Sequence, residues 1–474
     1  MQNLESKADY SHSLQNKSDN NKYLLLFSFS IIIGIISLIN ITSIFSFIFF
    51  FLLLIILNKV LGLNSTKKLS WIFLFYTFIA IMLFVLQMLT NPSYFGFSGG
   101  LGVGTDDSYY YSKAVPLEDI PNGFPLRDTF FLRSSIPGYS EILRVFSGLF
   151  SLFTVIHPID LLFFNVLVLS FIPIFTGKVA EIILKDTKVS DLAYKLSLFC
   201  PILITNGLVL VRDGFTATLF VGSMYFLLKR NYLALITSIL LMFHLRVSSG
   251  ALLLLILIPM MLFMIKKVNT ISAAKKGLIT YTFIIILSLS FITMILPILS
   301  NFLVKEGLLG NLFYREDYQE SFLAQSGDSV LSTIGNLPAI IRIPLGFVFF
   351  FCSPFFSINA FYNNGLYIPR GFISMLFPIL FLFYVKYFFQ GIVYEFKSRK
   401  LNFIKIFFLV FLVDILLLSQ LSLQLRHKTM IMPLFYILVA YGSTYKTKLG
   451  TLLGNTAFFF LVLVQLVYLI LSFG

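Results

Sequence analysis

The chain has 474 residues, 58% of them hydrophobic and 12% charged, with a formal net charge of +14. A soluble globular domain carries roughly 25% charged residues, so a water-soluble fold is excluded, and topology in a membrane explains the basic balance before nucleic acid does. There are 57 phenylalanines, the apolar runs reach the ~20 residues a membrane helix requires, and none alternates as barrel strands would; the fold class is therefore all-α, a polytopic integral membrane protein.

Residues 1–22 form a polar tail, too long for the n-region of an ordinary signal peptide. Residues 23–472 read as a single transmembrane domain. About 13 spans are expected, near 23–40, 43–63, 71–90, 159–177, 194–211, 214–228, 232–248, 250–265, 277–297, 370–392, 402–420, 431–445 and 451–472. The segment 139–156 has helical periodicity and modest length, which predicts an interfacial helix. The apolar stretch 338–357 is interrupted by Pro338, Pro344 and Pro354 and reads as a broken or re-entrant helix. Cys200 and Cys352 lie in apolar surroundings with no partner at metal spacing, as buried thiols do.

The lysines orient these spans. Lys67, Lys68, Lys178, Lys185, Lys188, Lys229, Lys266, Lys267, Lys275, Lys276, Lys397, Lys400, Lys405, Lys446 and Lys448 all fall on one side if 338–357 does not cross. The positive-inside rule makes that side cytoplasmic. The N-terminal tail is then inside, the C-terminus outside, and 91–158 and 298–337 are outer loops. The arginines run the other way. Of eleven, only Arg230 and Arg399 join the lysines; Arg127, Arg133, Arg144, Arg212, Arg246, Arg315, Arg342, Arg370 and Arg426 map to the outer face. Arginine grips a phosphate at two points, whereas lysine is a point charge. An outer site for a phosphate or pyrophosphate follows. The bland alternative is pairing with neighbouring acids, which Arg212–Asp213 and Arg315–Glu316–Asp317 allow.

Four constellations stand on that face. In GTDDSYYY, Asp106 and Asp107 can act as general base toward a hydroxyl or hold a divalent cation, and Tyr109, Tyr110 and Tyr111 offer faces to sugar rings; a solvated turn beside an aromatic belt is the other reading. The preceding glycines lack the strand and GK[ST] of a nucleotide loop. Arg212 and Asp213 sit between two spans with almost no loop, as a ligand site or as an ion pair pinning a helical hairpin. His244 and Arg246 close an apolar span at the same expected depth. Arg426, His427 and Lys428 form a basic knot, suited to a phosphate or to snorkelling, and His427 can take a proton near neutral pH. Asp414 falls inside a span, where an acid is a functional candidate or is paired with Gln420 or a basic residue of another helix.

Together GTDDSYYY, RDGFTATLF followed by KRNY, HLRVSSG and SPFF at 353–356 resemble the EpsG-like and Wzy-type polymerases of bacterial surface polysaccharides, over roughly residues 70–440. The chain departs from that pattern at Asp213, where glutamine or glutamate is more usual. The resemblance implies a glycosyltransferase of the GT-C kind in the bacterial inner (cytoplasmic) membrane, with its active site on the periplasmic or outer face. Its partners would be polyprenyl-pyrophosphate-linked glycans, membrane lipid and a chain-length regulator, with no nucleic acid. Repeat units would be joined into O-antigen, capsule or exopolysaccharide, and polyprenyl pyrophosphate would leave. Asp106 or Asp107 would serve as base, with His244 or His427 as the alternative. The three tyrosines would hold sugar, and Arg212, Arg246, Arg342 and Arg426 would neutralise the pyrophosphate. No cofactor or metal is required, though a divalent cation at Asp106 and Asp107 stays open. Two rivals remain at this stage: a GT-C enzyme adding one sugar from a polyprenyl-phosphate donor, and a flippase of lipid-linked oligosaccharide, which the lack of an internal repeat disfavours.

Overall fold

The computed structural model describes residues 23–90, 106–115, 138–267, 339–353, 368–397, 402–421 and 425–471, with residues 337 and 355 singly. Among these the chain is helical and has no strand. Five helices are long and apolar enough to cross a membrane: Ser43–Val60, Thr66–Leu89, Pro158–Leu184, Leu376–Phe396 and Lys448–Ile470. Shorter apolar helices cover Tyr23–Ile39, Tyr232–Leu245, Ser249–Met264 and Ile343–Cys352. Backbone groups can be satisfied in hydrocarbon by helices like these, and the chain is a membrane-embedded helical protein.

The chain divides into two compact units. The first takes residues up to Phe171, together with Gly207–Val211 and Asn364–Pro369. It contains α1 (Tyr23–Ile39), α2 (Ser43–Val60), α3 (Thr66–Thr90), α4 (Asp106–Ala114), α5 (Gly138–Ser151) and the first half of α6 (Pro158–Leu184). Its core is aromatic: Phe50 packs on Phe146 and Phe150 at 5.0 and 5.6 Å, and Phe47 meets Phe163 at 5.6 Å. The buried Asp160 caps α6, accepting from the His157 N–H at 2.8 Å, and also takes the Ser46 hydroxyl at 2.6 Å, tying α2 to α6. Asn165 is a second polar tie. It accepts from the Tyr139 hydroxyl at 2.6 Å and donates to the carbonyls of Val209 and, at 3.1 Å, Val211. Those carbonyls belong to a non-helical stretch that would otherwise leave buried acceptors unmet.

The second unit holds Ile172–Asn206, Arg212–Asn363 and Arg370–Gly474. Its helices are α7 (Thr187–Leu198), α8 (Pro201–Gly207, to Asn206), α9 (Asp213–Lys229), α10 (Tyr232–Leu245), α11 (Val247–Lys267), α12 (Ala339–Cys352), α13 (Ile368–Phe396, from Arg370), α14 (Phe403–Leu421), α15 (Met432–Thr444) and α16 (Lys448–Leu471). A 3-10 turn, Leu425–Ile431, joins α14 to α15. Asp186 caps α7 through the Lys188 and Val189 N–H groups. Helices α9 and α10 form a hairpin that reverses at Arg230, which adopts φ 59°, the left-handed C-cap conformation. Helices α13 and α15 meet at Gly391 and Gly442, where a Cβ on Gly442 would fall onto the Tyr387 carbonyl. Further along the same pair, buried Glu395 accepts from Tyr441 and from Asn402.

Three expected elements differ. The span placed at 194–211 is two helices, α7 and α8, separated at Phe199 and Cys200 ahead of Pro201, because proline cannot continue the preceding helical ladder. The broken stretch 338–357 contains one continuous helix over Ala339–Cys352 with Pro344 inside it. The span placed at 431–445 starts at Met432, with Pro433 in its first turn, after the 3-10 turn. The segment expected to be interfacial forms helix α5, with one face buried through Tyr139, Leu143, Ser147 and Phe150. The span at 277–297 lies outside the described residues, as do the polar tail 1–22 and the loop 298–337 apart from residue 337.

Candidate functional site

The second unit gathers charge at one end of the α9–α10 hairpin. Arg212 precedes α9, Asp213 opens it, and Arg246 lies extended at the break between α10 and α11. A hairpin turned tightly at Arg230 returns its free ends to the same level, which is why residues 33 apart in sequence meet: Arg212 Nη1 donates to the Leu245 carbonyl at 3.2 Å. The 3-10 turn packs on α9 and brings Arg426 and His427. Arg246 Nη2 lies 3.1 Å from His427 Nε2. The turn is fastened from the other side by Asn206, which donates to Thr429 Oγ1 at 3.0 Å.

The electrostatics are one-sided. His427 is buried, and burial first, then Arg246, Arg426 and Arg212, push its imidazole from the ordinary 6.5 down to about 2. The carboxylate that Arg246 and Arg212 act on is Asp213, itself buried. Three half-buried guanidinium groups thus act on one neutral imidazole, and two of them, Arg246 and Arg212, also act on one carboxylate. A surplus of fixed positive charge in a partly desolvated place favours an anion, and three planar forks match phosphate oxygens.

Lys428 does not belong to that anion-facing set, although the basic-knot reading placed it there. Its Nζ is fully buried and donates to the carbonyls of Phe350, Phe351 and Ser353 at 3.1, 3.0 and 2.7 Å. All three ammonium hydrogens are engaged. The Phe381 ring lies 4.3 Å from it. Lys428 therefore clamps the C-terminal end of α12, whose carbonyls point at it, to the turn that carries His427 and Arg426. Sequence reading missed this clamp; the signal available was a lysine amid an apolar stretch, with SPFF as the end of an apolar run.

The remaining expected residues are on α4, α10, α12 and α14. His244 is exposed on α10. Arg342 is on α12, its side chain outside the described set. Asp106 and Asp107 occupy the first turn of α4 in the first unit, where carboxylates also answer the helix dipole. Asp106 is exposed and Asp107 is buried. Tyr110 and Tyr111 are core residues: Tyr110 stands edge-on to Tyr139 at 5.0 Å, and the Tyr111 hydroxyl donates to the Ile156 carbonyl at 3.1 Å. Tyr109 keeps an exposed ring, with Lys113 Nζ 5.7 Å from its centroid. Asp414 is fully buried in α14, and both of its carboxyl oxygens lack a hydrogen-bond partner among the described residues. Among the described residues no three His, Cys, Asp or Glu side chains stand together as a metal site would need. Both cysteines are free and buried, Cys200 taking a hydrogen bond from Tyr436 at 2.7 Å. Set against known proteins, the chain matches no family model and no curated protein.

Proposed function

We propose that this chain is a membrane glycosyltransferase that joins polyprenyl-pyrophosphate-linked repeat units into a surface polysaccharide at the outer face of a bacterial inner membrane. The observation that carries the reading is the convergence of Arg212, Arg246 and Arg426 around His427, with Asp213 as the carboxylate on which Arg246 and Arg212 act. HLRVSSG and RDGFTATLF, two of the motifs that carry the resemblance to Wzy-type polymerases, supply Arg246, Arg212 and Asp213, and the basic run Arg426 to Lys428 supplies Arg426 and His427. The reading includes about 13 spans with the N-terminus inside, which puts the arginine end outside, where nucleotide sugars are absent and a lipid-linked donor is required.

In the proposed reaction the acceptor sugar hydroxyl attacks the anomeric carbon of the donor glycan. The bond from that carbon to the pyrophosphate oxygen breaks, and the leaving group takes the bonding pair. The arginines stabilise the charge that develops there. The hydroxyl proton passes to a carboxylate; within the first unit, Asp106 is the member of its pair with an exposed side chain. Tyr109 offers the exposed ring of the tyrosine run as a platform for a sugar.

Deletion of the gene followed by gel analysis of surface glycans tests this. Loss of the ladder with single repeats retained is the expected result. An unchanged ladder refutes it, and a ladder shifted by one sugar per repeat indicates a single-sugar transferase instead.

A further inference from the structure

His427 entered as a possible base. Its surroundings point to a different role. Arg246 Nη2 lies 3.1 Å from His427 Nε2. A guanidinium has donors only, so Nε2 must be the acceptor and must carry the lone pair. The neutral ring then has its single hydrogen on Nδ1. Protonating Nε2 would put two donors face to face beside further positive charge. The charged groups around the ring all oppose it: Arg246 from the α10–α11 junction, Arg212 from the head of α9 and Arg426 from its own turn. The charge of Asp213 is acted on by Arg246 and Arg212. Lys428, the next residue, is turned to the end of α12.

The Nδ1 atom is therefore a fixed donor. It is buried, and it has no hydrogen-bond partner among the described residues. A buried donor left unmet costs about 1–3 kcal/mol, which a native site tolerates when a ligand supplies the acceptor. His427 is only 6% exposed, beside three arginines that call for an anion.

We propose that His427 is an obligate neutral hydrogen-bond donor, held in its Nδ1–H form by Arg246, and that it donates to a phosphate oxygen of the bound ligand. This rests on the anion-site reading above and deepens it. His427 then reads phosphate by a directed hydrogen bond, while the arginines supply the charge. It takes no proton during turnover. A burial-driven shift of the imidazole down to about 2 agrees with a ring that stays neutral at working pH.

Two substitutions separate donor from support. In His427→Asn the amide nitrogen falls near the place of Nδ1 and keeps the donor, but the contact to Arg246 is lost. In His427→Gln the terminal amide reaches the place of Nε2 and can hold Arg246, but the Nδ1 donor is lost. The assay is binding of inorganic pyrophosphate to the purified full chain in detergent. Hydrogen bonds to charged groups contribute enough for the loss to be on the order of 10- to 100-fold. We expect His427→Ala and His427→Gln to weaken pyrophosphate by that factor and His427→Asn to restore most of it. Rescue by glutamine and not asparagine would overturn the donor role in favour of mere support of Arg246, and wild-type affinity in all three variants would overturn it outright. A wild-type chain that binds no pyrophosphate, or an Arg212→Ala variant that binds it as tightly as wild type, would defeat the anion-site reading and the ligand half of this proposal with it. The tautomer is tested apart from binding by 15N-histidine spectroscopy, with the His427→Asn protein identifying the signal among four histidines. A neutral Nδ1–H ring that does not titrate between about pH 5 and 8 is expected, and an ordinary titration there would overturn the lock.

Discussion

Lys428→Met removes the clamp on α12 with little change of volume. The lysine is fully buried and its ammonium serves three carbonyls, at 3.1, 3.0 and 2.7 Å. Each buried acceptor that loses its partner costs roughly 1–3 kcal/mol. Part of that is offset because a charge no longer has to be buried. A net local loss of about 3 kcal/mol is reasonable, which raises the frequency of local opening on the order of 100-fold. The two free cysteines report it separately. Cys352, 5% exposed, ends α12 beside the clamp, whereas Cys200, 0% exposed, sits ahead of α8 under the Tyr436 hydroxyl. Maleimide labelling of Cys352 should accelerate by about that factor while Cys200 stays protected. Lys428→Arg should fall between, because a planar fork cannot bring three hydrogens from one nitrogen onto three carbonyls. Equal labelling of Cys352 in wild type and Lys428→Met would refute the clamp. Acceleration at both cysteines would mean global loosening rather than a local lock.

Further outcomes follow from the same reading. Reporter fusions after Asn122 and after Lys267 should give opposite signals, and equal signals would remove the outer placement of the arginines. Asp106→Asn should abolish polymer at unchanged membrane abundance, because a positioned base contributes typically 10²–10⁴ in rate; normal ladders from it would leave the carboxylates of α4 as helix-dipole partners only. His427 should also make stability depend on pH. Its folded value, about 2, lies below the ordinary 6.5, so the unfolded chain binds the extra proton first and stability falls as pH drops below 6.5. Two pH units below that point correspond to about 3 kcal/mol, and His427→Asn should flatten the slope between about pH 6.5 and 4.5. An identical acid profile for the two proteins in detergent unfolding would contradict the burial of a neutral ring.

Much of the helical class was legible because apolar length alone marks a membrane helix. The grouping of Arg212, Arg246 and Arg426 was legible too, since each lies at the same expected end of a span and a tight turn at Lys229 and Arg230 returns the chain to that level. Side-chain direction was not. Three consecutive basic residues, Arg426 to Lys428, read as one patch, but a 3-10 turn points successive side chains about a third of a turn apart, so His427 meets Arg246 while Lys428 meets the end of α12. The tyrosines of α4 divide for the same reason: at helical spacing Tyr110 and Tyr111 enter the core and Tyr109 does not. Asn165 went unnoticed inside an apolar run, because its role depends on carbonyls of Val209 and Val211 that only tertiary packing delivers.

The central claim is a phosphate-gripping arginine site that drives glycan polymerisation, and Arg246→Lys tests it most directly. Lysine keeps the charge but neither the two-point grip nor the contact with His427 Nε2. Purified wild-type and variant proteins would be given polyprenyl-pyrophosphate-linked repeat units, with glycan length and released polyprenyl pyrophosphate measured together. The account predicts that wild type yields extended glycan with matching release of polyprenyl pyrophosphate, and that Arg246→Lys, equally inserted, loses most of both. Polymer at the wild-type level from Arg246→Lys would contradict it.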